Sequence, residues 1–153
     1  MAEVTFAGVT TGPASSSIPE IFDVTNSTYI FVGYQADIPA TFEVGATIFK
    51  METPPDKSSD EENVLQQLTA SALGHLPIGD SSIYIRAGAS VYQYFDSNDS
   101  MQTVIAPVYG AGVDYGIKPR LTIRIEWIRH VNMEFNSDKF EFDATRLGFY
   151  MYF

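Results

Sequence analysis

Strict alternation of apolar and polar residues, repeated in segment after segment, leaves this chain few folds to adopt. In LTIRIEW (121–127), Leu121, Ile123, Ile125 and Trp127 alternate with Thr122, Arg124 and Glu126. A period of two marks a β-strand with two unlike faces. Turn residues bound eight strand-like segments: Glu3–Thr11, Thr28–Asp37, Thr41–Met51, Val64–Leu76, Ser82–Phe95, Met101–Gly116, Leu121–Val131 and Phe140–Phe153. Residues 61–75 come nearest to a helical stripe, with Leu65, Leu68, Ala72 and His75 at helical spacing, and are the alternative to an all-strand reading.

The connectors alternate in kind. DIPA (37–40), PIGDS (77–81) and IKPR (117–120) are tight and carry the proline or glycine that hairpin turns use. Residues 11–27, 52–63, 96–100 and 132–139 are longer and polar. Eight strands with short turns at one end and longer loops at the other predict one all-β domain over 1–153. The fold class is an eight-stranded antiparallel up-and-down barrel, either spanning an outer membrane or soluble and lipocalin-like around an apolar ligand.

The two alternatives invert the faces. Segment 3 separates Phe42, Val44, Ala46 and Ile48 from Thr41, Glu43, Gly45 and Thr47. The last segment separates Thr145, Leu147, Phe149, Met151 and Phe153 from Ala144, Arg146, Gly148, Tyr150 and Tyr152. Segments 5 and 6 divide in the same way, and each apolar face runs about nine residues, enough for a tilted strand to cross a bilayer. On the polar faces the mid-strand charges nearly cancel: Arg86, Arg124 and Arg146 against Glu43, Asp114 and Glu126. A solvated exterior has no need of that balance, whereas a closed bore does, because an unpaired buried ion costs several kcal/mol. Glycines at 45, 88, 110, 112 and 148 share those faces and suit the narrow interior of an eight-stranded barrel. Lipid outside and ions inside is therefore the predicted arrangement. Segment 4 is the least regular: it leaves Leu73 inside, which suggests a bulge.

Composition removes other classes. With 19 acidic and 9 basic residues the chain lacks the electrostatic footprint of a nucleic-acid binder. It has no cysteine, and His75 and His130 lack metal-ligand spacing, so no metal site and no cofactor are expected. Asp80, Ser81 and Ser82 share a short turn while the histidines lie on separate segments, so no catalytic set is expected either. No run reaches the about 20 apolar residues of a membrane helix, yet Tyr and Phe are plentiful, at 9 and 11. Met1-Ala2-Glu3-Val4 leads straight into a strand, as in a mature chain whose signal peptide has been removed; a plain cytosolic chain is the alternative reading of this N-terminus.

The ending LGFYMYF, a terminal Phe preceded by alternate apolar residues, is similar to the signal by which outer-membrane barrels are recognised for assembly. FVGYQADIPATFEVGATIF (31–49), IYIRAGASVY (83–92) and PVYGAGVDYGIKPRLTIRIEW (107–127) resemble the transmembrane domain of the outer membrane protein A (OmpA) family. That resemblance implies a non-enzymatic barrel in the outer membrane of a Gram-negative bacterium, with a structural or surface-display role and at most a narrow gated path. It implies lumen ion pairs, with Glu43 in place of the family's strand-3 glutamate, Asp114 of its strand-6 glutamate and Arg124 of its strand-7 arginine. The family's strand-4 lysine has no equivalent in TASAL (69–73), so a fixed network of Glu43, Arg86, Asp114, Arg124, Glu126 and Arg146 is expected rather than one that exchanges partners.

The partners implied are outer-membrane lipid and lipopolysaccharide, the barrel-assembly machinery through Thr145, Leu147, Phe149, Met151 and Phe153, and an extracellular ligand at loops 11–27 and 52–63. Loop 11–27 holds Ile18, Ile21 and Phe22, which either meet a partner or fold over the rim. In loop 52–63, Glu52, Asp56, Asp60, Glu61 and Glu62 outnumber Lys57. A solvated acidic loop explains them more simply than a divalent-cation site, since no EF-hand spacing is present.

Overall fold

A computed structural model describes residues 4–16, 23–36, 38–52, 65–95, 101–135 and 138–153. Eight strands follow in order: β1 (Val4–Ser16), β2 (Asp23–Gln35), β3 (Ala40–Glu52), β4 (Leu65–Ile78), β5 (Ser81–Phe95), β6 (Met101–Lys118), β7 (Leu121–Phe135) and β8 (Asp138–Tyr152). Each pairs antiparallel with the next, and β8 returns to β1, so the sheet closes into a barrel. At the seam Phe6 faces Tyr152 and Val9 faces Phe149, and the Phe153 N–H donates to the Thr5 carbonyl at 2.8 Å. Closure removes the free sheet edges that would otherwise template aggregation.

Alternation decides which way each strand turns. Ile85 is 70% exposed and Trp127 39%, whereas Arg124 and Arg146 between the same rows of neighbours are 0% and 1% exposed. Phe42, Val44, Ile48, Leu147, Phe149, Met151 and Phe153 all point outward. A barrel holding an apolar ligand in water would show the reverse. Inside, glycines make room for rings: Phe6 lies over its register partner Gly33, and Tyr84 over Gly112. A Cβ at either glycine would fall within contact distance of that ring, so neither position accepts a side chain without a shift.

Residues 65–75 of the helical alternative lie in β4, as the strand reading of segment 4 expects, while two other details differ from expectation; β4 keeps unbroken register with both β3 and β5. The bulge expected in it is absent: Leu73 points inward at 1% exposure and Gly74 outward, so alternation is kept by placing one apolar residue in the bore. Register shifts occur instead at Val24/Asn26, Gly116/Lys118 and His130/Met133. Finally, the strands run farther than their apolar rows. β1 continues through Gly12 and Pro13 to Ser16, and β7 and β8 leave only residues 136–137 between them.

The short-turn end is compact. Gly79–Asp80 joins β4 to β5, with Gly79 at φ 62, the left-handed region that glycine enters without steric cost. Pro119–Arg120 joins β6 to β7. The opposite end carries residues 17–22, 53–64, 96–100 and 136–137 between strands. Ile18, Ile21, Phe22 and the acidic residues 56–62 lie outside the described residues.

Candidate functional site

Two of the ionic contacts follow directly from register. Asp114 on β6 faces Arg124 on β7, and Glu126 on β7 faces Arg146 on β8. Such directly opposed residues have Cβ atoms about 5 Å apart. Arg124 grips Asp114 with two parallel hydrogen bonds, Nε to Oδ1 at 2.8 Å and Nη2 to Oδ2 at 3.0 Å. Arg146 reaches Glu126 at 2.8 Å.

Glu43 joins these pairs across the bore. From β3 it accepts from Arg86 Nη2 of β5 at 2.8 Å and from Arg124 Nη1 of β7. Arg86 also meets Glu126 at 3.0 Å. The six residues thus form one alternating chain, Asp114–Arg124–Glu43–Arg86–Glu126–Arg146, with three charges of each sign. None is more than 4% exposed. In so dry a setting each carboxylate needs its guanidinium, because removing one partner strands the other at full desolvation cost.

Aromatic rings sheathe this chain. The Arg124 guanidinium lies 4.8 Å from the Tyr84 and Tyr150 ring centres and 5.1 Å from that of Phe31. Arg146 sits 4.6 Å and Arg86 5.4 Å from the Tyr29 ring. Ring faces carry the negative end of a quadrupole, so they favour the cations sterically fixed against them. Tyr84 also donates to Glu126 Oε2 at 2.8 Å, and Tyr150 to Asp114 Oδ2 at 3.0 Å. The sequence reading singled out the ions and passed over the tyrosines. Tyr84 and Tyr150 stand on the same inward parity as the charges, which is the signal that would have found them.

The chain ends differently on its two sides. Toward the short turns, a cavity of about 180 Å³ runs from exposed rim residues Gln35, Pro39 and Pro77 down to Asp114 and Arg124. Its wall holds His75, within 2.8 Å of Thr41 Oγ1 and 3.0 Å of Ser82 Oγ. Toward the long loops, Phe49, Phe142, Tyr92 and His130 pack ring against ring with centroids 5.6–5.9 Å apart. Val108, Ile128 and Ala144 form a buried cluster beside them. Gln67 ties this layer together, its Nε2 lying 2.9 Å from Tyr92 Oη and 3.0 Å from His130 Nδ1.

His75 contacts the Thr41 and Ser82 hydroxyls near the rim, and His130 contacts the Gln67 amide in the opposite half. Among the described residues no three His, Cys, Asp or Glu side chains are placed to hold a metal ion. The terminal row Thr145, Leu147, Phe149, Met151 and Phe153 lies exposed on the outer face of β8, apart from the ionic chain.

Comparison with known proteins agrees with this architecture. Residues 3–153 match the model of the outer membrane protein beta-barrel domain. No curated protein matches the chain. Among solved structures, neisserial surface protein A superposes with a TM-score of 0.74 at 20% identity, over 99% of this chain and 97% of that one. The N-terminal β-barrel domain of Pseudomonas aeruginosa OprF gives 0.67 at 15% identity, over 99% and 97%. Ail, the attachment invasion locus protein of Yersinia pestis, gives 0.59 at 13% identity, over the whole of both chains. At these identities the likeness is one of fold.

Proposed function

The chain belongs to the outer membrane protein β-barrel domain family, and from that premise we propose that this Gram-negative outer-membrane barrel is a non-enzymatic scaffold. Its bore is plugged by the ionic chain, and it displays its long-loop end at the cell surface. The observation that carries this reading is the alternating six-residue chain, which bridges β3 to β7 through Glu43 and Arg124 and leaves none of its members more than 4% exposed. At most a narrow, gated stream of water or ions passes such a plug.

On this reading, the outward row ending at Phe153 engages the barrel-assembly machinery, lipopolysaccharide surrounds the outer leaflet, and the loops at 11–27 and 52–63 meet an extracellular ligand. Ail has been crystallised with the heparin analogue sucrose octasulfate. A polyanion of that kind suits the present chain poorly, since acidic residues outnumber basic ones 19 to 9.

Conductance across a planar lipid bilayer tests the plug. Refolded wild-type protein is expected to give no steady wide-pore current, and Glu43→Gln and Arg124→Ala to raise whatever small current exists. A large steady current from the wild type overturns the plug. Variants that fold and leave the current unchanged remove the ionic chain from any role in limiting it.

A further inference from the structure

The outward apolar belt is not the same height all round the barrel. β4 presents six consecutive outward apolar positions, from Leu68 to Ile78, β5 five, from Ile83 to Val91, and β6 seven, from Ile105 to Ile117. On the other side β7 presents four, β8 three with Phe153 just past its end, β2 three and β1 only Ala7 and Val9. Ile83, Leu121, Tyr34 and Phe153 all stand beside the short-turn end; β4 and β6 reach one row further, to Ile78 and Ile117, and exposed Thr5 takes the first row of β1. Most of the deficit therefore lies toward the long loops. One outward row of a strand tilted about 45° rises roughly 4.7 Å, so two missing rows lower the belt by about 10 Å.

Polar side chains occupy the gap. Thr11 Oγ1 lies 3.0 Å from Thr28 Oγ1 and 3.3 Å from Asn26 Oδ1 on the outer face of β1 and β2. On β7 and β8, Arg129 donates to Asp143 through Nε at 2.7 Å and Nη2 at 3.0 Å, with both side chains about a third exposed. Thr145 stands next to them, exposed. Below the ion pair, Trp127 meets Tyr109 edge to face at 6.0 Å, and the Arg129 guanidinium lies 5.8 Å from the Trp127 ring. Trp and Tyr with one wet end collect where hydrocarbon gives way to headgroups. On a belt of uniform height the Trp127 row would lie near mid-membrane, where a charged pair on the lipid side is most costly.

We propose that the polar headgroups of the surrounding lipid descend against the face made by β7, β8, β1 and β2, as far as Arg129, Thr145 and Thr28. Over β4–β6 they stop above Leu68, Val91 and Ile105. A second copy of the chain is a poorer occupant. Arg129 and Asp143, and the Thr11 and Thr28 hydroxyls, are already paired within one chain, and the side chains just below, Trp127, Leu147 and Ile30, are bulky. Headgroups and their water need neither an unpaired group nor a shaped surface.

The chain has a single tryptophan and no cysteine, so two measurements follow without background. In vesicles of dioleoylphosphatidylcholine doped with brominated lipid, Trp127 of the unmodified protein should be quenched more by bromines near the headgroup than by bromines near mid-chain. The opposite order overturns the proposal. Nitroxides on Thr28→Cys and Thr145→Cys should collide more with a water-soluble nickel chelate than with oxygen, and those on Leu68→Cys and Val91→Cys more with oxygen. Oxygen-dominated collisions at Thr28 and Thr145 overturn the proposal, and shielding from both reagents does so in favour of a second copy. Nickel-dominated collisions at Leu68 and Val91 overturn the membrane span itself and the proposal with it, which separates that failure from the others.

Discussion

The two ends of the bore seal the same ionic chain by different chemistry. At the short-turn end the wall is hydroxyl and imidazole, Thr41, His75, Ser82 and Tyr150, around a cavity of about 180 Å³ that opens past exposed rim residues. At the long-loop end it is ring on ring, Phe49 against Phe142 at 5.6 Å and Tyr92 against His130 at 5.8 Å, with every one of these residues at most 1% exposed. The difference teaches where water can stand in for a lost contact. A hydrogen bond deleted beside the cavity can be remade to water; one deleted beneath the aromatic layer leaves its partner bare.

The largest effect is expected where both halves meet. Arg124 holds Asp114 on the cavity side and Glu43 across the bore. Arg124→Ala leaves Asp114 without its guanidinium and Glu43 with Arg86 alone, and the loss should be about 3–5 kcal/mol. Urea unfolding in lipid vesicles at unchanged slope would show it; an unmoved midpoint would mean that water enters freely and that the chain is not dry. Next is Gln67→Leu in the closed half. It removes the partner of Tyr92 Oη and His130 Nδ1 without changing the number of side-chain heavy atoms much. Two buried polar groups left without that partner should cost about 2 kcal/mol or more in the same measurement.

How much of this was legible in the sequence follows from what each residue faces. Outward rows such as Ile83–Val91 were legible because lipid demands unbroken apolarity, and the inward charges because a dry bore demands balance. The pairs Asp114–Arg124 and Glu126–Arg146 sit on adjacent strands. The reach of Glu43 to Arg124 depends on how far the sheet shears before it closes, which no local pattern encodes. Leu73 looked like a break in alternation only because apolarity was taken to mean outside; among the rings and aliphatics of this bore it is ordinary. The upper parts of β1 and β7–β8 were missed for the converse reason. Beyond the hydrocarbon both faces of a strand tolerate polar residues, so TGPASS carried no alternation to read, and its pairing with β2 and β8 became visible only in the register.

The smallest predicted effect is the sharpest test of the contrast between the two ends. Tyr150→Phe deletes one hydroxyl, the donor to Asp114 Oδ2 at 3.0 Å, which also lies 3.3 Å from Tyr152 Oη. The ring remains, so its packing on Phe6 at 4.9 Å and under Arg124 is kept. Asp114 retains both hydrogen bonds from Arg124, and the cavity lets water approach the vacated oxygen. A hydrogen bond to a charged group is ordinarily worth about 1.5–3 kcal/mol, but replacement by water should reduce the loss here to about 1 kcal/mol. Measured beside Gln67→Leu under identical urea and lipid, Tyr150→Phe should therefore move the midpoint less, although it removes a contact to an ion and Gln67→Leu removes only neutral ones. A loss equal to or above that of Gln67→Leu would mean that the short-turn mouth is as dry as the aromatic end, and that charge rather than access to water ranks the contacts of this bore.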